Sequence, residues 1–369
     1  MTKNFLKITS ILLLLIMVLS ACGPAQVPDD TTDTTDVVPE VETHDTTEQV
    51  VETPTDTTAP ETPEKKEIKL LMIGNSFCTR YPEELYGIAK AAGYDLTVVS
   101  LYESGCPVAD HWKWLNDGSR EYDLYVTSTK YRGNRATVKV GKNQKVTIQE
   151  ALDYAKNSLG GDWDVISLQQ HFYPDLALDY NKAYITTSAS AKLLYNRIRE
   201  EHPDSLLLWL ETWAYQVGYA VPEKYVEGET APKDTAIADV ETQTKTYETI
   251  KAVCYKIAEE NGVNIVPCGD AWQIARADAR VGDNMCARLD KNGKLGDYYH
   301  DGDIGGGQYL NGCVWFETLT GTSCIGNTWR PEYKDQNSKI HTIAEDKIAA
   351  LQEAAHAAVA AVYGADYAK

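Results

Sequence analysis

The chain has 369 residues, of which 43% are hydrophobic, enough for one large α/β domain or two small ones. Its formal net charge of −19 is unevenly spread, because roughly half of the acidic excess lies between Gly23 and Lys66. The remainder is only mildly acidic, which argues against a nucleic acid as partner.

The amino terminus has the layout of an export signal. Lys3 and Lys7 precede an apolar run at 8–19 that is short for a membrane span, and small residues then lead to Cys22. The ending Leu-Ser-Ala-Cys resembles the bacterial lipobox. This resemblance implies a lipoprotein signal peptide at 1–22, lipidation of Cys22, and a protein exported to the bacterial cell envelope and held at the membrane surface. The alternative is a plain secretory signal with an incidental cysteine.

Residues 23–66 are mostly Thr, Asp, Glu, Pro and Val and contain no Phe, Trp or Tyr. Such a segment cannot bury enough apolar surface to order itself. We predict a disordered acidic tether that holds the following domain away from a membrane.

From residue 67 to 369 the patterns of strands and helices alternate. Predicted strands lie at 69–73, 95–100, 164–169, 205–211 and 264–267. Predicted helices lie at 83–92, 147–157, 182–200, 239–261, 271–280, 307–320 and 342–363. Strands separated by helices of this length predict an α/β domain whose mainly parallel sheet is covered on both faces.

One segment, 122–146, interrupts this alternation. Its Thr, Tyr, Val and Lys residues alternate around two glycine-containing turns, which predicts a small β-hairpin insertion before a helix. Because the segment is rich in Lys and Arg, it is either a solvated β-ribbon or a flap that shapes a binding cleft.

Ser76 is the first candidate for chemistry. The apolar run from Leu70 to Ile73 breaks at Gly74, so Ser76 comes directly after the first strand of the domain. In open α/β sheets, ligands bind at the carboxyl ends of the strands, where a nucleophile would also lie. The alternative for such a serine is a simple helix cap.

A serine nucleophile needs a base, and three histidines lie in loop-like contexts at element ends: His111, His171 and His300. Only His300 has a carboxylate three residues before it, Asp297. A turn of this length lets the carboxylate orient the imidazole and stabilise its protonated form.

These residues and several further blocks resemble the SGNH, or GDSL-like, hydrolases, specifically a subgroup described as a domain of unknown function. The blocks are Ile-Gly-Asn-Ser-Phe at 73–77, Glu-Ser-Gly-Cys-Pro at 103–107, Ser-Leu-Gln-Gln at 167–170, Thr-Trp-Ala-Tyr-Gln at 212–216, Asp-x-x-His at 297–300 and Gly-Gly-Gly-Gln-Tyr at 305–309. The resemblance implies a three-layer α/β/α fold and hydrolysis of esters, often acetyl groups on carbohydrates. It also implies that Ser76 is the nucleophile, His300 the base and Asp297 its orienting acid. The N–H groups of Ser76 and Gly105 would form the oxyanion hole.

Two departures from the family pattern concern the site. Asn75 stands where most relatives carry an acid, and we predict that it contacts the substrate. The usual Gly-x-Asn-Asp block is absent after the strand at 164–168, where Gln169 and Gln170 stand instead. A Gln amide can donate as an Asn does, so we predict that Gln169, or otherwise Gln170, completes the oxyanion hole.

His111, Trp112 and Trp213 lie near predicted strand ends and are candidates for contacts with a sugar ring, with core packing as the alternative. No Cys-x-x-Cys pair occurs, and the acids at 301–303 lack the other ligands of a calcium loop. We therefore expect neither metal nor cofactor.

The sequence as a whole predicts a surface-anchored serine esterase that removes acetyl or similar acyl groups from carbohydrate through an acyl-enzyme. The alternatives are a non-catalytic glycan-binding lipoprotein of the same fold and an O-acyltransferase, which would share the acyl-enzyme.

Overall fold

The structure, a computed structural model, describes residues 66–128, 137–141, 144–219, 237–289, 297–335 and 337–368. Its centre is a seven-stranded sheet of order β4-β3-β2-β1-β5-β6-β7. The strands are β1 (Lys66–Gly74), β2 (Tyr94–Tyr102), β3 (Asp123–Thr127), β4 (Thr137–Val140), β5 (Val165–Gln169), β6 (Leu206–Leu210) and β7 (Asn264–Val266). Strands β8 (Tyr333–Lys334) and β9 (Ile340–His341) form a separate antiparallel pair.

Helices cover both faces of the sheet. One face carries α1 (Pro82–Ala91), α7 (Cys268–Ala277), α8 (Gly307–Thr320) and α9 (Glu345–Tyr363). The other carries α2 (Val108–Asp117), α3 (Ile148–Leu152), α4 (Pro174–Ala177), α5 (Tyr180–Glu201) and α6 (Val240–Asn261). The predicted three-layer α/β/α fold is therefore confirmed.

The central strand β1 shows how one apolar run serves two cores. Leu70 and Met72 pack into the core beneath α1, α7, α8 and α9. Leu71 and Ile73 point the opposite way, into the core beneath the other helices. Because successive side chains of a strand alternate between faces, a strand buried on both faces must be apolar throughout.

All five predicted strands are present, and β1, β2, β5, β6 and β7 pair in parallel as expected. The predicted hairpin exists as β3 and β4, but it is not a separate insertion. It pairs antiparallel with β2 and so extends the main sheet at its edge.

The predicted helices also appear, with one shortened. The helix expected at 147–157 ends at Leu152 and continues as a π-helical turn, Ala155–Leu159. Two helices were not predicted, namely α2 and the single turn α4. Pro107 precedes α2 without a side-chain cap, so the usual start signal is missing.

Residues 1–65, with Cys22 and nearly all of the predicted tether, lie outside the described residues. Within the described ranges, every helix is too short or too polar to cross a membrane. The seven cysteines of these ranges are buried thiols without disulfide bonds.

Gly87 on α1 offers a test of how tightly the helix after Ser76 packs. A Cβ at this position would lie 2.1 Å from Cε2 of Trp329. We expect Gly87→Ala to destabilise the domain by about 1–3 kcal/mol through overpacking, although Ala normally favours a helix. Chemical denaturation would measure the change.

Gly161→Ala is the matched control, because the new methyl group would meet only the flexible end of Lys69, at 3.0 Å. Equal unfolding midpoints for the two variants would contradict the close packing of α1 on Trp329.

Candidate active site

The candidate nucleophile Ser76 lies at the carboxyl end of the central strand. Strand β1 ends at Gly74, and Ser76 begins a single 3-10 turn, Ser76–Cys78, for which Asn75 is the N-cap. Cys78 N–H donates to the Asn75 carbonyl across this turn, at 3.0 Å. The turn therefore holds the serine at the edge of the sheet where the parallel strands end.

The Asn75 side chain is fully buried and cross-links three strand ends. Its Oδ1 accepts from Phe77 N at 3.1 Å and from Gln169 Nε2 at 2.5 Å, while its Nδ2 donates to the Cys106 carbonyl at 3.1 Å. The predicted substrate contact of Asn75 is therefore wrong, because its amide is buried and hydrogen-bonded on both sides. It fixes the turn that carries the nucleophile.

Ser76, His300 and Asp297 form a continuous chain of hydrogen bonds. His300 Nε2 lies 2.7 Å from Ser76 Oγ, and His300 Nδ1 lies 2.5 Å from Asp297 Oδ2. Asp297 Oδ1 also accepts from the main-chain N–H of His300, at 3.0 Å. The carboxylate thus forms hydrogen bonds with both the ring and the backbone of the histidine, which leaves Nε2 free to take a proton from the serine hydroxyl.

The loop that carries His300 depends on the segment after β6. Tyr298 has a left-handed φ of 65°, a conformation rare for a bulky residue, which lets the chain fold back so that Asp297 reaches His300. Gln216 N donates to the Tyr298 carbonyl at 2.7 Å, and Trp213 Nε1 donates to the Tyr299 carbonyl at 2.8 Å.

Trp213 itself is inaccessible to a substrate. It is fully buried, stacks on Trp272 with ring centroids 4.6 Å apart, and contacts the ring of Phe77. The predicted sugar contact of Trp213 is therefore wrong. Its indole acts through the loop, where it holds the residue next to His300.

Burial and neighbouring charges shift the pKa of the His300 imidazole in opposite directions. Burial lowers the pKa of His300, Asp297 raises it, and the Arg80 guanidinium lowers it further. Burial raises the pKa of Asp297, but the hydrogen bonds and charge of His300 overcome this and bring it to about 2. Asp297 is therefore ionised at neutral pH, while His300 is mainly uncharged and able to act as a base.

Two arginines that the sequence interpretation missed flank this pair. Arg80 Nη2 lies 3.1 Å from His300 Nδ1, and Arg288 Nη1 lies 3.8 Å from Asp297 Oδ2. The position of Arg80, four residues after Ser76, was the available signal. Nothing in the sequence near Arg288 distinguishes it from an ordinary surface cation.

Both arginines line a cleft beside the triad with a volume of about 1040 Å³. Aromatic and charged side chains share its wall: Tyr102, Tyr125, Tyr333, Lys139 and Glu332. Lys139 and Tyr125 belong to the β3–β4 hairpin, so the hairpin contributes to the cleft as well as to the sheet.

Gly105 lies on the loop after β2 with a left-handed φ of 60°. A Cβ there would come within 2.8 Å of the Tyr173 hydroxyl, so glycine is required for both conformation and space. Glu103 N donates to the Gly74 carbonyl at 3.3 Å, which ties this loop to the end of β1.

Gln169 is engaged inside the structure and is not placed as a free oxyanion donor. Gln169 packs against Gly74, since a Cβ added to Gly74 would lie 2.8 Å from the Gln169 side chain. The Nε2 of Gln169 donates to Asn75. Gln170 Oε1 accepts from Val108 N at 2.9 Å, at the start of α2. The prediction that Gln169 completes the hole is therefore wrong. The Oε1 of Gln170 caps helix α2, and donation by the Nε2 of Gln170, the alternative, stays a prediction.

His111 and Trp112 are also displaced from their predicted role. His111 is fully buried, its Nδ1 lies 2.7 Å from the Tyr122 hydroxyl, and burial lowers its pKa to about 3. Trp112 lines a groove between α2 and α5 whose wall contains neither a triad residue nor either of the two arginines that flank the triad. The predicted substrate contacts of both residues are wrong, because the unpredicted helix α2 carries them away from the site.

The acids at 301–303 are structural. Asp301 is buried, accepts from Asn311 Nδ2 at 3.2 Å, and has its pKa raised by burial to about 7. Asp303 Oδ1 accepts from the main-chain N–H groups of Leu289 and Ile304. Across the described ranges, no cluster of three or more His, Cys, Asp or Glu side chains has the arrangement of a metal site.

Comparison with known proteins gives one family and several structures of similar fold. The profile of a domain of unknown function, DUF4886, matches residues 69–351. A crystal structure of a DUF4886 family protein from Bacteroides uniformis has 27% identity and a TM-score of 0.59, over 82% of this chain and 98% of that one. A comparison with curated proteins finds no match.

More distant structures include a catalytic mutant of an acetylxylan esterase from Geobacillus stearothermophilus. It has 14% identity and a TM-score of 0.34, over 73% of this chain and 98% of that one. An extracellular lipase from Streptomyces rimosus has 14% identity and a TM-score of 0.38, over 68% and 98% of the two chains.

The electrostatics of His300 can be tested directly by NMR titration of its ring. We expect Arg80→Gln to raise the pKa of His300, because the guanidinium disfavours the protonated ring. Asp297→Asn should lower it, because the carboxylate stabilises that ring.

Arg120→Gln serves as the matched control, since Arg120 pairs with Glu150 at 2.6 Å instead of with the triad. If the pKa of His300 falls or stays constant in Arg80→Gln, the assigned contact between Arg80 and His300 is contradicted.

Proposed function

The chain belongs to the family of the domain of unknown function DUF4886, and we propose that this member is a serine ester hydrolase. The observation that carries the proposal is the hydrogen-bonded chain from Ser76 Oγ through His300 to Asp297, with distances of 2.7 and 2.5 Å. A nucleophile, a base and an orienting acid in this order are what acyl transfer requires.

In the proposed reaction, Ser76 Oγ attacks the carbonyl carbon of the ester while His300 Nε2 takes the hydroxyl proton. The tetrahedral intermediate collapses, the ester C–O bond breaks, and His300 returns the proton to the leaving alcohol. Water then attacks the acyl-enzyme with His300 again as base, which releases the carboxylic acid and regenerates the serine. Asp297 stays ionised throughout and stabilises the imidazolium.

We further propose that the substrate is a carbohydrate carrying acetyl or similar acyl esters. The cleft beside the triad, about 1040 Å³ in volume, suits a group larger than a simple ester. Tyr102, Tyr125 and Tyr333 line it, and aromatic rings combine apolar faces for sugar rings with hydroxyl groups for hydrogen bonds.

A non-catalytic glycan-binding protein is the second candidate function. The observation that favours it is the use of the Gln169 amide inside the structure, because Gln169 was the first candidate for the side-chain donor of the oxyanion hole. An O-acyltransferase would use the same acyl-enzyme and would differ only in passing the acyl group to a hydroxyl acceptor instead of water.

The decisive experiment replaces Ser76 with alanine. We expect Ser76→Ala to lower the hydrolysis of p-nitrophenyl acetate by about 10³-fold or more and to abolish labelling by a fluorophosphonate probe. Acetate release from an acetylated xylan, measured with the wild-type protein, tests the carbohydrate ester. Transfer of the acetyl group to an added sugar would identify the acyltransferase instead.

Ser119→Ala is the matched control, because Ser119 is a surface residue that contacts Asp117. Equal hydrolysis by Ser76→Ala and the wild type would contradict a serine mechanism at this site. A wild-type protein that binds glycan but takes no label would favour the second candidate.

We also propose that Cys22 is lipidated and anchors the protein at the surface of a bacterial membrane, a proposal that rests on the lipobox pattern alone. Metabolic labelling with an alkyne fatty acid should mark the full-length chain, and Cys22→Ser should lose the label. Labelling of the serine variant would contradict the proposal.

A further inference from the structure

We propose that His171 supplies the side-chain donor of the oxyanion hole through its Nδ1–H group. The inference rests on the proposed esterase function and names a residue that takes the role predicted for the Gln169 amide. His171 lies two residues after the end of β5, which pairs in parallel with β1, so it lies at the same sheet edge as Ser76.

His171 lies close to both elements that would form the hole, the loop of Gly105 and the turn of Ser76. Its Nδ1 is 3.8 Å from the point that a Cβ of Gly105 would occupy. Its ring centroid is 5.3 Å from that of Phe77, the residue after Ser76. The ring of Tyr173 packs against the imidazole of His171, with ring centroids 3.9 Å apart. The imidazole is therefore held in place before any substrate binds.

The hydrogen bond on the far side of the ring fixes where the proton lies. His171 Nε2 is 2.9 Å from the hydroxyl of Tyr215, and burial holds the pKa of this tyrosine well above its usual range. In the described part of the chain, Nε2 is the one hydrogen-bond partner of that hydroxyl. Donation from Tyr215 to Nε2 satisfies this buried hydroxyl proton, and on this basis we place the proton of the neutral ring on Nδ1.

This Nδ1–H group has no hydrogen-bond partner within the described residues, although His171 is only 5% exposed. A buried donor without a partner is unfavourable, because it has lost its hydrogen bonds to water. The Gly105 main chain lies beside it and favours the protonated ring, but the pair does not reach hydrogen-bonding geometry. A negatively charged oxygen formed next to Gly105 during the reaction would satisfy the donor.

The ionisation of His171 suits a donor that must not act as an acid. Burial lowers its pKa to about 4, and the protonated form of nearby His300 acts in the same direction. At neutral pH the ring is uncharged, so it stabilises the oxyanion without competing for the proton that moves between Ser76 and His300.

The test compares two replacements of His171 in the full-length protein. His171→Phe keeps a ring in the pocket but removes the donor, and we expect kcat for p-nitrophenyl acetate to fall by about 10²–10³-fold with little change in KM. His171→Asn restores an N–H near the position of Nδ1 and should recover part of that loss. His356→Phe, on α9, is the matched control.

A boronic acid provides a second readout, because it forms a tetrahedral adduct with an active-site serine. In the wild type, the Nδ1–H proton of His171 should shift downfield in the NMR spectrum when the adduct forms. If His171 had only a structural role, this resonance would not shift when the adduct forms. The ratio of kcat to KM would then also be the same in His171→Phe and His171→Asn.

Wild-type kcat in His171→Phe, or an unchanged Nδ1–H resonance in the adduct, would overturn the inference and leave the proposed function intact. A wild-type protein that neither hydrolyses the ester nor binds the boronic acid would overturn both.

Discussion

The buried amide of Asn75 is the interaction on which the geometry of the site depends. It connects the ends of β1, β2 and β5 through Phe77 N–H, the Cys106 carbonyl and the Gln169 amide. Parallel strands end at one edge of a sheet, but their loops have no ladder to hold them there. A fully buried amide that uses its oxygen and its nitrogen supplies that link, and the low dielectric around it strengthens each bond.

The features that depended on local pattern were predictable from the sequence. The apolar run of β1 and its break at Gly74 predicted both the strand and the position of Ser76, because each depends on residues adjacent in the chain. The spacing of Asp297 and His300 predicted their contact for the same reason. The contact between Ser76 and His300 could not be predicted from local pattern, since those residues lie 224 positions apart. It followed only from the resemblance to the family.

The wrong predictions concern side chains whose role is set by tertiary contacts. Helix α2 has no side-chain cap of its own, and Gln170, 62 positions from Val108, supplies the acceptor at its start. Because that helix was not predicted, His111 and Trp112 were interpreted as loop residues that a substrate could reach. Trp213 was misplaced similarly, because an indole at a strand end looks the same in sequence whether it faces a sugar or stacks on Trp272.

The base of the proposed triad is positioned differently from the nucleophile. Ser76 follows a strand buried in the middle of the sheet, whereas His300 lies in an irregular segment outside the strands and helices of the described residues. Two main-chain carbonyls of this loop, those of Tyr298 and Tyr299, accept from Gln216 and Trp213 beyond β6. These hydrogen bonds hold the loop in place and so maintain the strained φ of Tyr298. Trp213 also contacts Phe77, so one buried indole touches the nucleophile turn and the base loop together. The separation of Ser76 and His300 is thus set by packing within the core, and a change at Trp213 would act on the triad without touching it.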